Sequence, residues 1–190
     1  MKSSTNTTNP PSNPPNNPPS ISEADLEKNV LHTFSVYVQN QPGVLVRLAL
    51  VFSRRGFNIE SLVVSAAKNK EFSRFTITAY GDREELEQII KQLRKLINVV
   101  KANEHFDRET IQREMALIKI AIHEKDRLPL LQIVEHFKGT TVDLTRDSII
   151  IQITGASEKI DAMTTMLESF EIVEIIRTGK IIMTRGRTET

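Results

Sequence analysis

Two hydrophobic periods alternate along this chain, and they do so in the same order twice. Phe34, Val36 and Val38 alternate with Thr33, Ser35 and Tyr37, the period of a strand with one buried face. Val44, Leu45, Leu48, Val51 and Phe52 then fall on one helical stripe, with Arg47, Ser53 and Arg54 opposite. Ile59 to Ser65 and Phe72 to Tyr80 read as strands joined by Lys68-Asn69-Lys70-Glu71. Asp82 and Glu85 have capping-box spacing ahead of a stripe of Leu86, Ile89, Ile90, Leu93, Leu96 and Ile97. Val99 to Ala102 closes the unit.

From Glu114 the order returns. Glu114 to His123 reads as a strand, and Arg127 to Lys138 as a helix with Pro129 in its first turn and Gly139 at its end. Thr141 to Leu144 and Ile149 to Thr154 form a hairpin around Arg146-Asp147. Ser157 is placed to cap a helix carrying Ile160, Met163, Leu167 and Phe170 on one face. Ile172 to Ile176 is a last strand, turning at Thr178-Gly179 and returning through Ile181 to Met183.

The fold class expected is therefore α+β, two tandem ferredoxin-like βαββαβ domains, over residues 30–106 and 107–190. Residues 1–29 are rich in Asn, Pro, Ser and Thr, and such a segment is expected to be a disordered tail. It lacks the apolar core of a signal peptide and the arginines of a transit peptide, so a cytoplasmic protein is expected, with an organelle address as the lesser reading. Units of about 75 residues are small for a self-sufficient core and leave sheet edges open, which predicts at least a dimer.

Composition removes several functions. A formal net charge of +1 over 190 residues offers no basic face for nucleic acid. Cysteine is absent, so a disulfide framework, a cysteine-zinc site and a thiol nucleophile are excluded. No apolar run reaches membrane-spanning length. His32, His105, His123 and His136 have no ligand spacing; His123 with Glu124 and Asp126 reads as a solvated loop, a divalent ion being the lesser reading. Ser61, Ser65 and Ser73 have no adjacent base, and no phosphate-binding glycine loop occurs. Lys91 to Lys95 reads as a solvated face. No catalytic or metal residue is expected, and the chain reads as a binding or regulatory module.

The stretch from Asn40 to Ser61 holds the best binding candidate. Pro42-Gly43 ends a strand, and the first amides of the helix that follows have no internal partner and carry its positive dipole end. Asn40 and Asn58 are expected to flank that end, each offering amide donors and an acceptor to the two charged groups of a free amino acid. For an isolated N-x-P-G a plain turn is the better reading, and the surrounding pattern has to shift it. Arg177-Thr178-Gly179 and Arg185-Gly186-Arg187 set arginine beside glycine, suited either to a partner's carboxylate or to an ordinary hairpin with a basic end.

Five blocks carry a family resemblance: Asn40-x-Pro42-Gly43-Val44-Leu45, Phe52 to Leu62, Lys91-Gln92-Leu93-x-Lys95-Leu96, Arg113-Glu114-x-Ala116-Leu117-Ile118-Lys119 and Arg177-Thr178-Gly179. Residues 31 to 187 resemble the small regulatory subunit of acetohydroxyacid synthase, also called acetolactate synthase. The resemblance implies an ACT domain at 30–106, a ferredoxin-like second domain, and no catalysis by this chain. It implies a partner, the catalytic large subunit, which uses thiamine diphosphate, Mg2+ and FAD to form acetolactate in branched-chain amino acid synthesis. It implies activation of that partner, feedback inhibition by valine, and homodimers through the ACT domains. Asn40, Gly43 and Asn58 match the family's valine site, with Val44, Leu45, Ile59 and Val64 as apolar walls; Arg177, Thr178, Gly179 and Arg185 are the expected partner contacts. Three features depart from the family: a short loop from Ala66 to Glu71, Val46 where a small polar residue is frequent, and the tail. A free-standing ACT-domain amino-acid sensor for another enzyme is the alternative reading.

Overall fold

The computed structural model describes residues 30–106 and 108–190, so the tail expectation lies outside the described residues. The element order is β1 (Val30–Gln39), α1 (Val44–Ser53), β2 (Ser61–Ala66), β3 (Phe72–Gly81), α2 (Arg83–Leu93) and β4 (Val99–His105). Then come β5 (Thr110–Ala121), a short 3-10 turn at Glu124–Asp126, α3 (Arg127–His136), β6 (Thr140–Leu144), β7 (Ser148–Gly155), α4 (Ser157–Leu167), β8 (Glu171–Arg177) and β9 (Ile181–Thr184). Each βαββαβ unit makes one antiparallel sheet, in orders β2-β3-β1-β4 and β6-β7-β5-β8. Both units of the α+β expectation are present.

Helices cover one face of each sheet because that is where the apolar side chains converge. In the first unit Phe34, Val36, Phe75 and Ile77 meet Leu48, Phe52, Leu86, Ile89 and Leu93. In the second, Ile118, Ile120, Ile149 and Ile151 meet Leu130, Val134, Ile160, Met163 and Leu167. Burial on this scale, at about 25 cal/mol per Å² of apolar surface, is the main force holding each unit.

Helix ends follow local chemistry. After α1, Gly56 takes φ +75°; its amide reaches the Ser53 carbonyl and the Phe57 amide the Phe52 carbonyl, the paired bonds of a Schellman close. After α3 the same pair runs from Lys138 to Glu135 and from Gly139 to Val134. There Lys138, not Gly139, takes the left-handed angle, at φ 51°.

Several expectations are corrected. Asp82 caps α2 by accepting the Glu84 amide at 2.9 Å, not that of Glu85. α2 ends at Leu93, and Ile97, expected on its stripe, is 88% exposed. Ala156, not Ser157, is the N-cap of α4, because Ser157 already has its place in the helix. Leu45, expected on the buried stripe of α1, is exposed; only Val44, Leu48 and Phe52, each four residues apart, face inward fully. β9 does not return along β8 but pairs with Thr110 to Arg113 of β5. The twelve residues of β5 thus serve three partners, β7 and β8 along one part and β9 along the other.

The first sheet's second face is also covered, against the expectation of a strand buried on one side. Thr33, Ser35, Thr76 and Thr78 on that face are all buried. Gly179 abuts Ser61 and Val63 there, and Lys101 Nζ donates to the Glu189 carbonyl at 3.0 Å. The chain from 179 onward therefore lies across this face.

Candidate functional site

Gly43 begins α1 at φ +82°, and neither a side-chain cap nor an acidic residue serves the helix's first turn. A residue with a Cβ is disfavoured at that angle, although a Cβ at 43 would meet nothing within 4 Å. The outcome is an open helix start with a positive dipole end, where the Val44 amide makes one long bond to the Gln41 carbonyl at 3.4 Å.

A polar network fixes that loop. Asn98, nearly buried, accepts from Arg47 Nη1 at 2.7 Å and donates to the side-chain oxygens of Gln39 and Gln41 at 3.0 and 3.1 Å. Its carbonyl also accepts the Gln39 amide at 2.9 Å. Asn40 is exposed; its amide donates to the Glu71 carbonyl at 2.7 Å and its side chain to the Lys70 carbonyl at 3.2 Å. The short loop to Glu71 thereby holds Asn40 in place. Sequence periodicity assigned Arg47 to a solvated face and passed over Asn98 altogether.

Asn40, Gly43 and Leu45 gather at the start of α1, and Val64 lies toward the same end, opposite Phe75 near the start of β3. Leu45 and Val64 are exposed. Val44 is 4% exposed and packs in the core, so its side chain cannot line an open site; only its backbone can. Asn58 and Ile59 lie past the other end of the helix, contrary to the expectation that Asn40 and Asn58 flank the same end. Ten helical residues rise about 15 Å, which separates the two groups. Asn58 is exposed, donates to Glu60 Oε1 at 2.8 Å, and lines with Ile59, Ala49 and Phe52 a cleft of about 490 Å³.

The C-terminal candidates have structural duties. Arg177 is not presented free: its guanidinium forks between Glu114, which is 5% exposed, and Asp161 Oδ1 at 2.5 Å. Partial burial works against its charge, but those two carboxylates outweigh it and raise its pKa above the ordinary value. The Thr178 amide donates to the Met115 carbonyl at 3.0 Å, and Thr178 Oγ1 accepts from the Met115 amide at 3.1 Å. Gly179 is buried at φ +81°. Arg185 keeps an exposed side chain at the end of β9.

Among the described residues no group of three or more His, Asp or Glu is placed to hold a metal ion, and His123 is exposed. No described helix is long and apolar enough to cross a membrane.

Comparison with known proteins gives this geometry a context. Residues 34–101 match the model of the AHAS small subunit-like ACT domain, and residues 113–186 that of the small subunit of acetolactate synthase. The chain is 42% identical over 155 residues to a probable acetolactate synthase small subunit of Archaeoglobus fulgidus, covering 82% of this chain and 97% of that one. It is 44% identical over 155 residues to the acetolactate synthase small subunit of Mycobacterium bovis, covering 82% and 92%. The crystal structure of the acetolactate synthase small subunit from Thermotoga maritima superposes with a TM-score of 0.75 at 39% identity, covering 84% of this chain and 99% of that one. The chain belongs to the acetolactate synthase small-subunit family, and a catalytic large subunit is the partner that membership implies.

Proposed function

We propose that this chain is a non-catalytic regulatory subunit that activates the catalytic subunit of acetolactate synthase and makes it sensitive to valine. Thiamine diphosphate, Mg2+ and FAD belong to that partner, and the reactions it carries, joining two pyruvates to acetolactate or pyruvate to 2-oxobutyrate, open valine and isoleucine synthesis. We place the complex in the cytoplasm.

One observation carries the effector reading. The open helix start at Gly43 and the Asn58-Ile59 cleft lie a helix length apart in one chain, so a ligand of eight heavy atoms cannot touch both. Two first domains packed side by side with antiparallel α1 helices bring the start of one helix to the end of the other. Valine then sets its carboxylate on the amides beside Gly43, its ammonium on the oxygens of Asn40 or the neighbour's Asn58, and its isopropyl group on Leu45, Val64 and the neighbour's Ile59. A charged hydrogen bond contributes about 1.5 to 3 kcal/mol, and inhibition requires that valine favour one dimer arrangement over another.

The test is acetolactate formation by the cognate catalytic subunit alone, with this chain, and with this chain plus valine. A rise that valine reverses supports the reading. A rise untouched by valine removes valine as the effector and points to the short loop and Val46. No rise leaves the free-standing sensor, to be sought by calorimetry against other amino acids.

A further inference from the structure

We infer that the Arg177-Thr178-Gly179 turn is the joint through which occupancy of the first domain reaches the second, with Gly179 bearing directly on strand β2. This deepens the regulatory reading and rests on it.

The contact has no slack. A Cβ built at residue 179 would lie 2.8 Å from Ser61 Cβ, 2.9 Å from Ser61 Oγ and 3.3 Å from Val63 Cγ2, so bare backbone already touches two side chains of β2. Close-packed atoms answer a push by moving, not by compressing. Behind Gly179 the turn is tied down: Thr178 bonds Met115 in both directions, and Arg177 links Glu114 of β5 to Asp161 of α4. A displaced Gly179 takes a strand and a helix of the second domain with it.

β2 is placed to deliver such a push. It is an edge strand with β3 as its one neighbour in the sheet, hence held less firmly than β1 or β3. It is entered from Asn58 and Ile59 and ends beside exposed Val64, the residues that valine and a second chain would touch. Beside the contact, a cavity of about 400 Å³ is lined by Ser61, Thr78 and Tyr80 on one side and Glu114, Asp161 and Lys180 on the other. That space lets the domains rock about the joint.

The experiment uses the full chain with its catalytic subunit and reads activation, valine inhibition and calorimetric valine binding for wild type, Gly179→Ala, Ser61→Leu, and Gly179→Ala with Ser61→Gly. Both single variants crowd the contact, one from each domain. Each is expected to activate and to bind valine within about twofold of wild type, yet at saturating valine to lose at least about half of the wild-type inhibition. Gly179→Ala also carries the strain of a Cβ at φ +81°, which Ser61→Gly leaves in place while making room for the methyl; sensitivity is expected to return in the double variant, which traces the loss to the contact, and its failure to return overturns the joint. Full valine inhibition in both single variants, or loss of valine binding together with inhibition, overturns the joint. A wild-type complex that ignores valine overturns the regulatory reading itself and the joint with it; a responsive wild type beside unaffected variants overturns the joint alone.

Discussion

Gly43 sets the backbone at the start of α1 and leaves the space beside it open. Its angle of +82° needs a residue without a Cβ, while the space around it is empty. Gly43→Asp therefore fits without a clash, at a strain of about 1 to 2 kcal/mol, and sets a carboxylate where an effector's carboxylate would sit. Valine inhibition of the complex is expected to vanish while activation remains; inhibition retained in this variant would remove Gly43 from the site. Asn98, whose polar network fixes the same loop, shows why some residues are illegible in the sequence. The stripe of α2 was extended through Ile97, but from Leu93 the bonds tighten, Lys95 to Gln92 and Leu96 to Leu93, and the phase is lost. Ile97 turns out and Asn98 turns in, at 7% exposed, a reversal that a fixed period cannot signal. Asn98→Ala strips Arg47 and two glutamines of a partner and should lower stability by about 1 to 3 kcal/mol, read as a drop in unfolding midpoint.

Among the elements, β1 and β4 are linked across the covered face by Ser35 Oγ and His105 Nε2, 2.6 Å apart. Burial first, then Lys101 and Arg74, lower the His105 pKa below its ordinary 6.5, against the weaker pull of Glu109 and Glu104. The folded state binds the proton less readily than the unfolded chain, whose ring keeps the ordinary 6.5, so acid favours unfolding. Stability is full above the unfolded value, falls as pH drops through it, and levels off below the folded one. His105→Gln is expected to flatten that part of a pH series of unfolding midpoints; an unchanged slope would show that His105 is not its source. The strands themselves were legible from alternation, as in Phe34, Val36 and Val38. What covers their other side was not, because Thr33 and Ser35 read as solvated until β9 is found on β5 instead of β8. Pairing between strands nearly seventy residues apart leaves no local trace.

At the scale of the whole molecule, α1 has apolar residues nearly all the way round. Val44, Leu48 and Phe52 use one side, while Val46, Leu50 and Leu45 stay exposed in the single chain, as does Val64 on the neighbouring edge strand β2. Exposed apolar residues beside an unpaired strand edge mark a surface made for a partner. A second copy fits on two grounds: the edge of β2 can pair with itself antiparallel, and that packing would bring the Gly43 helix start of one chain to the Asn58-Ile59 cleft of the other. The double variant Val46→Glu with Leu50→Glu places like charges from both chains into that contact without touching the core residues of α1. Light scattering at micromolar concentration is expected to give a dimer for the wild type and a monomer for the variant, with circular dichroism unchanged. If valine binds across the two chains as proposed, calorimetric valine binding should disappear with the dimer. A variant that stays dimeric would move the interface off α1, and a monomer that binds valine as the wild type does would confine the site to one chain.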